Sequence, residues 1–394
     1  MTWPTLSLTA AGVAVLDCDH RTPAAALTGH PYIAIPEIRG GVVHVAESRR
    51  ITPDDLRDWT RRTKPQIGDI VVTRRARVGD SAPIPVDDAA IGQNLVILRS
   101  NGELVDQGFL RWAVRSPAWW DEVDRWRNVG AVFTSLNVKD IAEIAIPVPD
   151  PSSQRAIAEV LGALDDKIAA NTAVSAQAQV LAETIYTQAA RAAHRVPASQ
   201  VLMPILGGTP DRSNPAFWSG RVPWVSAKDI TAAPLGVILN TAESISAEGV
   251  RGSRAKPVPA GSVILTARGT VGAVARLAVE AAFNQSCYAF IPSAPLPSAC
   301  LYLMVRDTAA NALSVAHGSV FSTITMRSFD ALTVPGFTEA QLRALEDRLS
   351  PLLEWITARA VESGHLATLR DTLLPHLMSG RITVRDAEKA VENA

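Results

Sequence analysis

Between Ser152 and Arg191 the apolar residues fall on one helical stripe. Ile157, Leu161, Leu164 and Ile168 alternate spacings of four and three, and the frame continues through Asn171, Ser175, Ala178, Ala182 and Ile185. This pattern predicts a single helix with an a/d-type seam. The same frame returns 188 residues later, without insertion, as Leu345, Leu349, Leu352, Ile356, Arg359, Ser363, Leu366, Arg370 and Leu373. At ~1.5 Å per residue each helix spans about 50 to 60 Å, so the two side by side form a rod and act as a spacer. Asn171 is a polar seam residue of the kind that fixes register at some cost in stability. Pro351 should kink the second helix or mark a break after its first turns.

The rest of the chain also repeats. Gly68 to Gly79, GDIVVTRRARVG, reads as an apolar strand, a basic loop and a glycine turn, and Gly261 to Gly272, GSVILTARGTVG, has the same length and plan. IGQN (Ile91 to Asn94) answers to FNQS (Phe283 to Ser286), and Gly130 to Pro149 aligns without gaps on Gly318 to Phe337. Strand-like runs at Ile70 to Thr73, Leu95 to Leu98, Val263 to Thr266 and Tyr288 to Ile291 mix with helical segments at Asp106 to Ser116 and Pro297 to Val315. Each globular region is therefore expected to be α+β. The duplication implies a pseudo-twofold arrangement, with the globular regions at opposite ends of an antiparallel helix pair and a join at Val196 to Pro204.

Composition narrows the class. With 394 residues, 47% of them hydrophobic, the chain can build two or three ordinary cores. Its three cysteines, Cys18, Cys287 and Cys300, are dispersed and odd in number. They fit a reducing cytoplasm and argue against both a disulfide framework and a cysteine-ligated metal. The amino terminus reads as the first strand or loop of a domain rather than a signal peptide, and no run is long enough to span a membrane. The net charge of −1 conceals local bias: Arg49 to Gly79 carries nine Lys or Arg against Asp54, Asp55, Asp58 and Asp69. The second long helix is mildly acidic, so basic globular parts facing phosphate and helices facing protein are expected.

A catalytic engine is not legible. The chain lacks GxxxxGK[ST], HExxH and CxxC patterns and a GxGxxG after a strand, and its seven histidines show no ligand spacing. Asn214-Pro215-Ala216-Phe217 is similar to the Asn-Pro-Pro-aromatic motif with which amino-methyltransferases hold a flipped adenine. It lacks the second proline, and no glycine-rich cofactor strand precedes it. No catalytic residue and no metal site is expected.

The segment Gly207 to Ile230, GGTPDRSNPAFWSGRVPWVSAKDI, resembles the start of target-recognition domains in the specificity (S) subunits of type I restriction-modification systems. LTARGTVG, FNQSCYAF, VFSTITMRSFDALTVP and TLLPHLMSGRI follow in that family's order, and Ile146 to Val174 looks like its central conserved region. Before Gly68 little beyond position matches. The resemblance implies a first target-recognition domain at 1–149, a central conserved coiled-coil helix at 150–195, a second target-recognition domain at 196–337, and a C-terminal conserved helix and tail at 338–394. It also implies a cytoplasmic, non-enzymatic subunit that reads a bipartite double-stranded DNA target. Two methyltransferase subunits and two motor-nuclease subunits would dock on it, and S-adenosylmethionine, ATP and Mg would belong to those partners. A coiled-coil interaction scaffold without specific DNA readout is the alternative.

On this reading Arg74, Arg75 and Arg77 can reach phosphates or guanine O6/N7, with Arg268 and Thr270 as their counterparts; a solvated basic loop is the other possibility. Gln93 and Asn94, and Asn284 and Gln285, offer the paired donor and acceptor suited to adenine, or else cap turns. Thr134 and Ser135, and Ser322, Thr323 and Thr325, offer hydroxyls to phosphate or cap the following segment. Arg212 and Lys228, in the second signature, are further DNA-binding candidates, Lys228 toward the DNA backbone, and Trp218 and Trp224 pack that loop. Trp112, Trp119, Trp120 and Trp126 read as packing aromatics in the first half.

Overall fold

The computed structural model describes residues 3–129, 134–316 and 323–392. Two compact units divide the chain, one comprising Met1–Asp166 with Leu366–Ala394 and the other Lys167–His365.

In the first unit a four-stranded sheet runs in the order Val13–Asp17, Leu95–Ser100, Ile70–Thr73, Ser81–Pro83, each neighbour antiparallel. Ile70–Thr73 is buried on both faces. Ile70 and Val72 join Val96, Leu98, Phe109, Trp112 and Trp119 in one core, while Val71 joins Ile33, Leu95 and Ile97 in another. Alternation along the strand thus feeds two cores, and the strand reads as an unbroken apolar run. A second sheet sets His30–Ile33 between Arg49–Ile51, antiparallel, and Ala90–Ile91, parallel.

The second unit repeats this plan. Its five-stranded sheet runs Ile205–Leu206, Cys287–Phe290, Val263–Thr266, Val274–Leu277, Val237–Ile238. Beside it Val222–Val225 lies between Glu243–Ile245, antiparallel, and Ala282–Phe283, parallel. The correspondence extends into the region before Gly68. Ala34 N–H donates to Glu37 and Ser226 N–H to Asp229, both at 2.8 Å, just after the equivalent strands. Thr52 and Ser246 accept from Asp55 N–H and Gly249 N–H to cap the next helices. The fold is α+β with an internal repeat.

Two long helices, Pro151–Ala192 and Glu339–Met378, complete the architecture. Within the first unit Asp165 meets Arg370 at 2.5 Å, and Ile157 shares a core with Leu377 and Met378. Within the second unit Asn171 bonds Glu362 and Ser363, while Ala182 and Tyr186 share a core with Leu345 and Leu349. Residue numbers fall along one helix as they rise along the other, so the two run antiparallel in each unit. Ile157, Leu161, Leu164, Asn171, Leu345, Leu349, Ile356 and Leu373 are buried, and Ile168, Leu352 and Leu366 half-buried.

Two expectations for the second helix need correction. The break after its first turns does not occur, since the helix continues past Pro351, which lies on the exposed side. In that turn Leu353 rather than Leu352 is fully buried, so the seam shifts by one residue before resuming at Ile356. The join between halves also carries structure, since Arg195–Pro197 pairs with Thr333–Pro335 as Thr5–Ser7 pairs with Ala145–Pro147. Among the described residues no helix is long and apolar enough to cross a membrane.

Candidate nucleic-acid interface

Each unit ends its central buried strand in the same clasped loop. In the first, Thr73 Oγ1 donates to Arg77 O, Gly79 N–H returns to Thr73 O at 2.9 Å, and Thr73 N–H donates to Asp80 O at 2.9 Å. In the second, Thr266 Oγ1 donates to Thr270 O, Gly272 N–H returns to Thr266 O at 2.9 Å, and Thr266 N–H donates to Ala273 O at 2.9 Å. The chain reverses through a left-handed residue, Ala76 at φ 60° and Gly269 at φ 74°. Neighbouring segments then lock on. Arg74 N–H donates to Asn94 O and Ala267 N–H to Ser286 O, both at 2.8 Å. Leu136 N–H donates to Arg74 O and Ile324 N–H to Ala267 O, at 3.0 and 2.9 Å. Isolated bridges join Arg75 to Ser135 and Arg268 to Thr323. These bonds gather three separated stretches of each unit at one place.

The side chains divide sharply. Arg74 is only 18% exposed, donates Nε to Leu136 O at 3.1 Å and lies 3.7 Å from Asp17. Arg77 donates to Ile35 O at 2.5 Å and to Ile38 O, and pairs with Asp80 at 3.3 Å. Both guanidinium groups are engaged in holding the domain together. Arg75, Gln93, Lys228, Arg268 and Gln285 are exposed and make no side-chain hydrogen bond or ion pair among the described residues. Thr270 is exposed and lends its carbonyl to the clasp. Asn94 is half-buried beside Gln93 in a cleft of about 290 Å³ that Tyr32, Glu37 and Arg49 also line.

Other candidates take local roles. Asn284 Oδ1 accepts from Ser286 N–H at 3.0 Å, the cap expected of Asn in a turn. Thr134 and Ser135 pair with Val129 and Asn128 in a short ribbon. Thr325 N–H donates to Ser328 Oγ at 3.0 Å, Thr323 is half-buried, and Ser322 lies outside the described residues. Arg212 is bidentate to Glu243 and stacks 3.6 Å from the Trp218 ring, which meets Trp224 edge-on at 5.0 Å. Trp218 and Trp224 donate their ring N–H groups to Asp211 O and Gly208 O, so both anchor the loop. Trp112 and Trp119 are buried, whereas Trp120 is partly exposed. Asn214 Oδ1 accepts from Ala216 N–H at 3.1 Å and starts a 3-10 turn, which gives the methyltransferase-like tetrapeptide a structural use.

Sequence reasoning missed the ionic hub behind the first loop. Asp17 is flanked by His20 and Arg62 at 3.1 Å and by Arg74. Its partners are far apart in the chain, and no spacing announces them. Asp17, Cys18 and His20 bring three ligand-capable atoms within 4.8 Å of one another. Arg62 and Arg74 already balance the carboxylate, and burial pushes the Cys18 thiol up to about 11, which opposes the thiolate a metal requires.

Two repeated α+β domains, each presenting a clasped loop with an exposed arginine, and two long helices make up the chain. The family model described as "Type I restriction modification DNA specificity domain" matches residues 28–179 and 202–336, and the chain belongs to that family. It is 23% identical over 181 residues to the type I restriction enzyme HindI specificity subunit of Haemophilus influenzae, covering 45% of this chain and 39% of that protein. It is 30% identical over 162 residues to the EcoR124I/EcoR124II specificity subunit of Escherichia coli, covering 38% of this chain and 39% of that protein. The matches thus span about two fifths of these relatives. The crystal structure of a type I restriction-modification S subunit from M. genitalium covers 96% of both chains with a TM-score of 0.57 at 13% identity, a likeness of fold.

Proposed function

We propose that this chain is the DNA-recognition subunit of a type I restriction-modification complex, in which each repeated domain reads one half of a bipartite double-stranded target. The observation that carries the reading is the doubled loop, in which Arg75 and Arg268 stand exposed on equivalent, internally clasped backbones. A rigid loop loses little entropy when it docks, and its cation replaces counterions on phosphate. Phosphate contacts set orientation, and base-edge contacts from other side chains supply the sequence.

On this proposal the chain performs no chemistry itself. Two methyltransferase subunits, using S-adenosylmethionine, modify adenine in the half-sites. Two motor-nuclease subunits, using ATP and Mg, join for restriction. Adenine must leave the base stack to be methylated, so the recognition domains hold distorted duplex while the partner receives the base. The assembly works in the cytoplasm.

The deciding experiment is a genome-wide map of methylated adenines in a host carrying and lacking the chain. A split motif that disappears with the chain is the expected result. An unchanged map, or methylation without sequence preference, would overturn the proposal.

A further inference from the structure

The two domains provide an internal comparison. At the loop the first offers Arg74, Arg75, Ala76 and Arg77, where the second offers Ala267, Arg268, Gly269 and Thr270. On the adjoining segment Gly92, Gln93 and Asn94 face Asn284, Gln285 and Ser286. Through these two segments only one arginine and one glutamine keep their identity. Arg74 and Arg77, which have no basic counterpart, are those already bound inside the first domain. The repeated pair, Arg75 with Gln93 and Arg268 with Gln285, is exposed in both domains and makes no side-chain hydrogen bond or ion pair among the described residues, although Arg268 lies near the Tyr288 ring.

One backbone bond in each domain joins the two segments that carry each pair. Leu95 faces Thr73 at the end of the antiparallel ladder and Arg74 N–H bonds Asn94 O, so Arg75 and Gln93 each adjoin that bond, Gln93 within the turn closed by Leu95 N–H on Gly92 O. Thr266 faces Cys287 and Ala267 N–H bonds Ser286 O, so Arg268 and Gln285 adjoin that bond in the same way, Gln285 within the turn closed by Cys287 N–H on Asn284 O. Each pair combines a guanidinium fork with an amide NH₂, and both groups donate to phosphate oxygen. Domains that read unlike half-sites have one ligand in common, the sugar-phosphate backbone. Groups retained in both belong to that shared ligand, and groups that differ belong to the bases.

Resting on the function proposed above, we infer that Arg75 with Gln93, and Arg268 with Gln285, are two equivalent phosphate clamps that bind DNA without regard to sequence. Base reading then falls to neighbouring positions at which the domains differ, such as Asn94 against Ser286.

The test uses the assembled complex with DNA carrying its mapped target and with DNA lacking it, across a salt series. Arg75→Ala and Arg268→Ala are each expected to weaken binding by the same factor on both DNAs. Each should reduce the slope of log affinity against log salt by about one. Arg75→Lys, which keeps the charge, should retain the slope and controls for folding. An unchanged slope, a loss confined to target DNA, or a changed methylated sequence in either alanine variant would overturn the clamps. If the variants give those results while the wild-type complex methylates a split motif, the recognition function stands and only the clamps fall. A wild-type complex without any split motif would sink the function itself.

Discussion

Asn171 donates its side-chain amide to Glu362 Oε2 at 3.1 Å from a buried position on the helix seam, and to Ser363 Oγ at 3.2 Å. Glu362 is also held by Arg359 at 2.6 Å and Lys167 at 3.5 Å, so it keeps partners when the amide is removed. Ser363 does not share those partners. Asn171→Ala should therefore cost only about 1 kcal/mol, the scale of one hydrogen bond, in urea unfolding of the whole chain. A loss several times larger would mean that the amide is integral to the fold rather than a device for register.

Asp165 is a different case. Its carboxylate takes Arg370 at 2.5 Å and Arg111, with Arg115 at 3.7 Å, and burial depresses the Arg115 guanidinium below its ordinary value. Asp165→Ala leaves Arg111 and Arg115 without a carboxylate partner, while Arg370 keeps Asp371 at 2.8 Å. The expected cost is about 3 kcal/mol or more, because an unpaired buried charge costs more than the pair contributed. Double substitution with Arg370→Met should recover part of it, and equilibrium unfolding of the single and double variants measures both.

The left-handed residue of each loop allows a clean test of backbone strain. Gly269 has open space where a Cβ would go, so Gly269→Ala probes φ alone and should destabilise by about 1 kcal/mol. Ala76→Gly relieves the same strain but frees the unfolded chain, and should change stability by less than about 1 kcal/mol. Equal losses from both substitutions would contradict the equivalence of the two loops.

Asp150 caps the first long helix. The hydroxyl of Ser152, then the hydroxyl and N–H of Ser153, donate to its carboxylate and hold it well below the usual carboxylate range. A folded pKa below the unfolded value of about 3.9 stabilises the protein above that pH, and the contribution is lost as acid protonates the group. Asp150→Ala should flatten the dependence of stability on pH below about pH 4 and lower stability at neutral pH. A variant with the wild-type acid limb would show that the cap does not form.

Sequence pattern revealed the repeat, both long helices and the α+β class, because seam spacing and doubly buried strands leave periodic signatures that survive divergence. Residues before Gly68 were silent for a physical reason. Their equivalence to the second domain lies in backbone pairing, such as Tyr32–Ala90 against Trp224–Ala282, and backbone bonds leave no fixed side chain to read. The candidate interface was half legible. Three arginines within four residues looked interchangeable in sequence, yet Asp17 and Leu136, distant in the chain, claim Arg74, while Ile35 and Asp80 claim Arg77. Only tertiary structure distinguishes an arginine that holds a domain together from one left for a ligand.

The claim that each domain reads its own half-site is tested most directly by exchange. Residues 202–336 would be replaced with the matching domain of a relative that recognises a different sequence, and methylated adenines would be mapped with the partner subunits present. The account predicts a hybrid motif in which one half-site changes while the other half-site keeps its sequence. A motif altered in both halves, or unaltered in either, would contradict it.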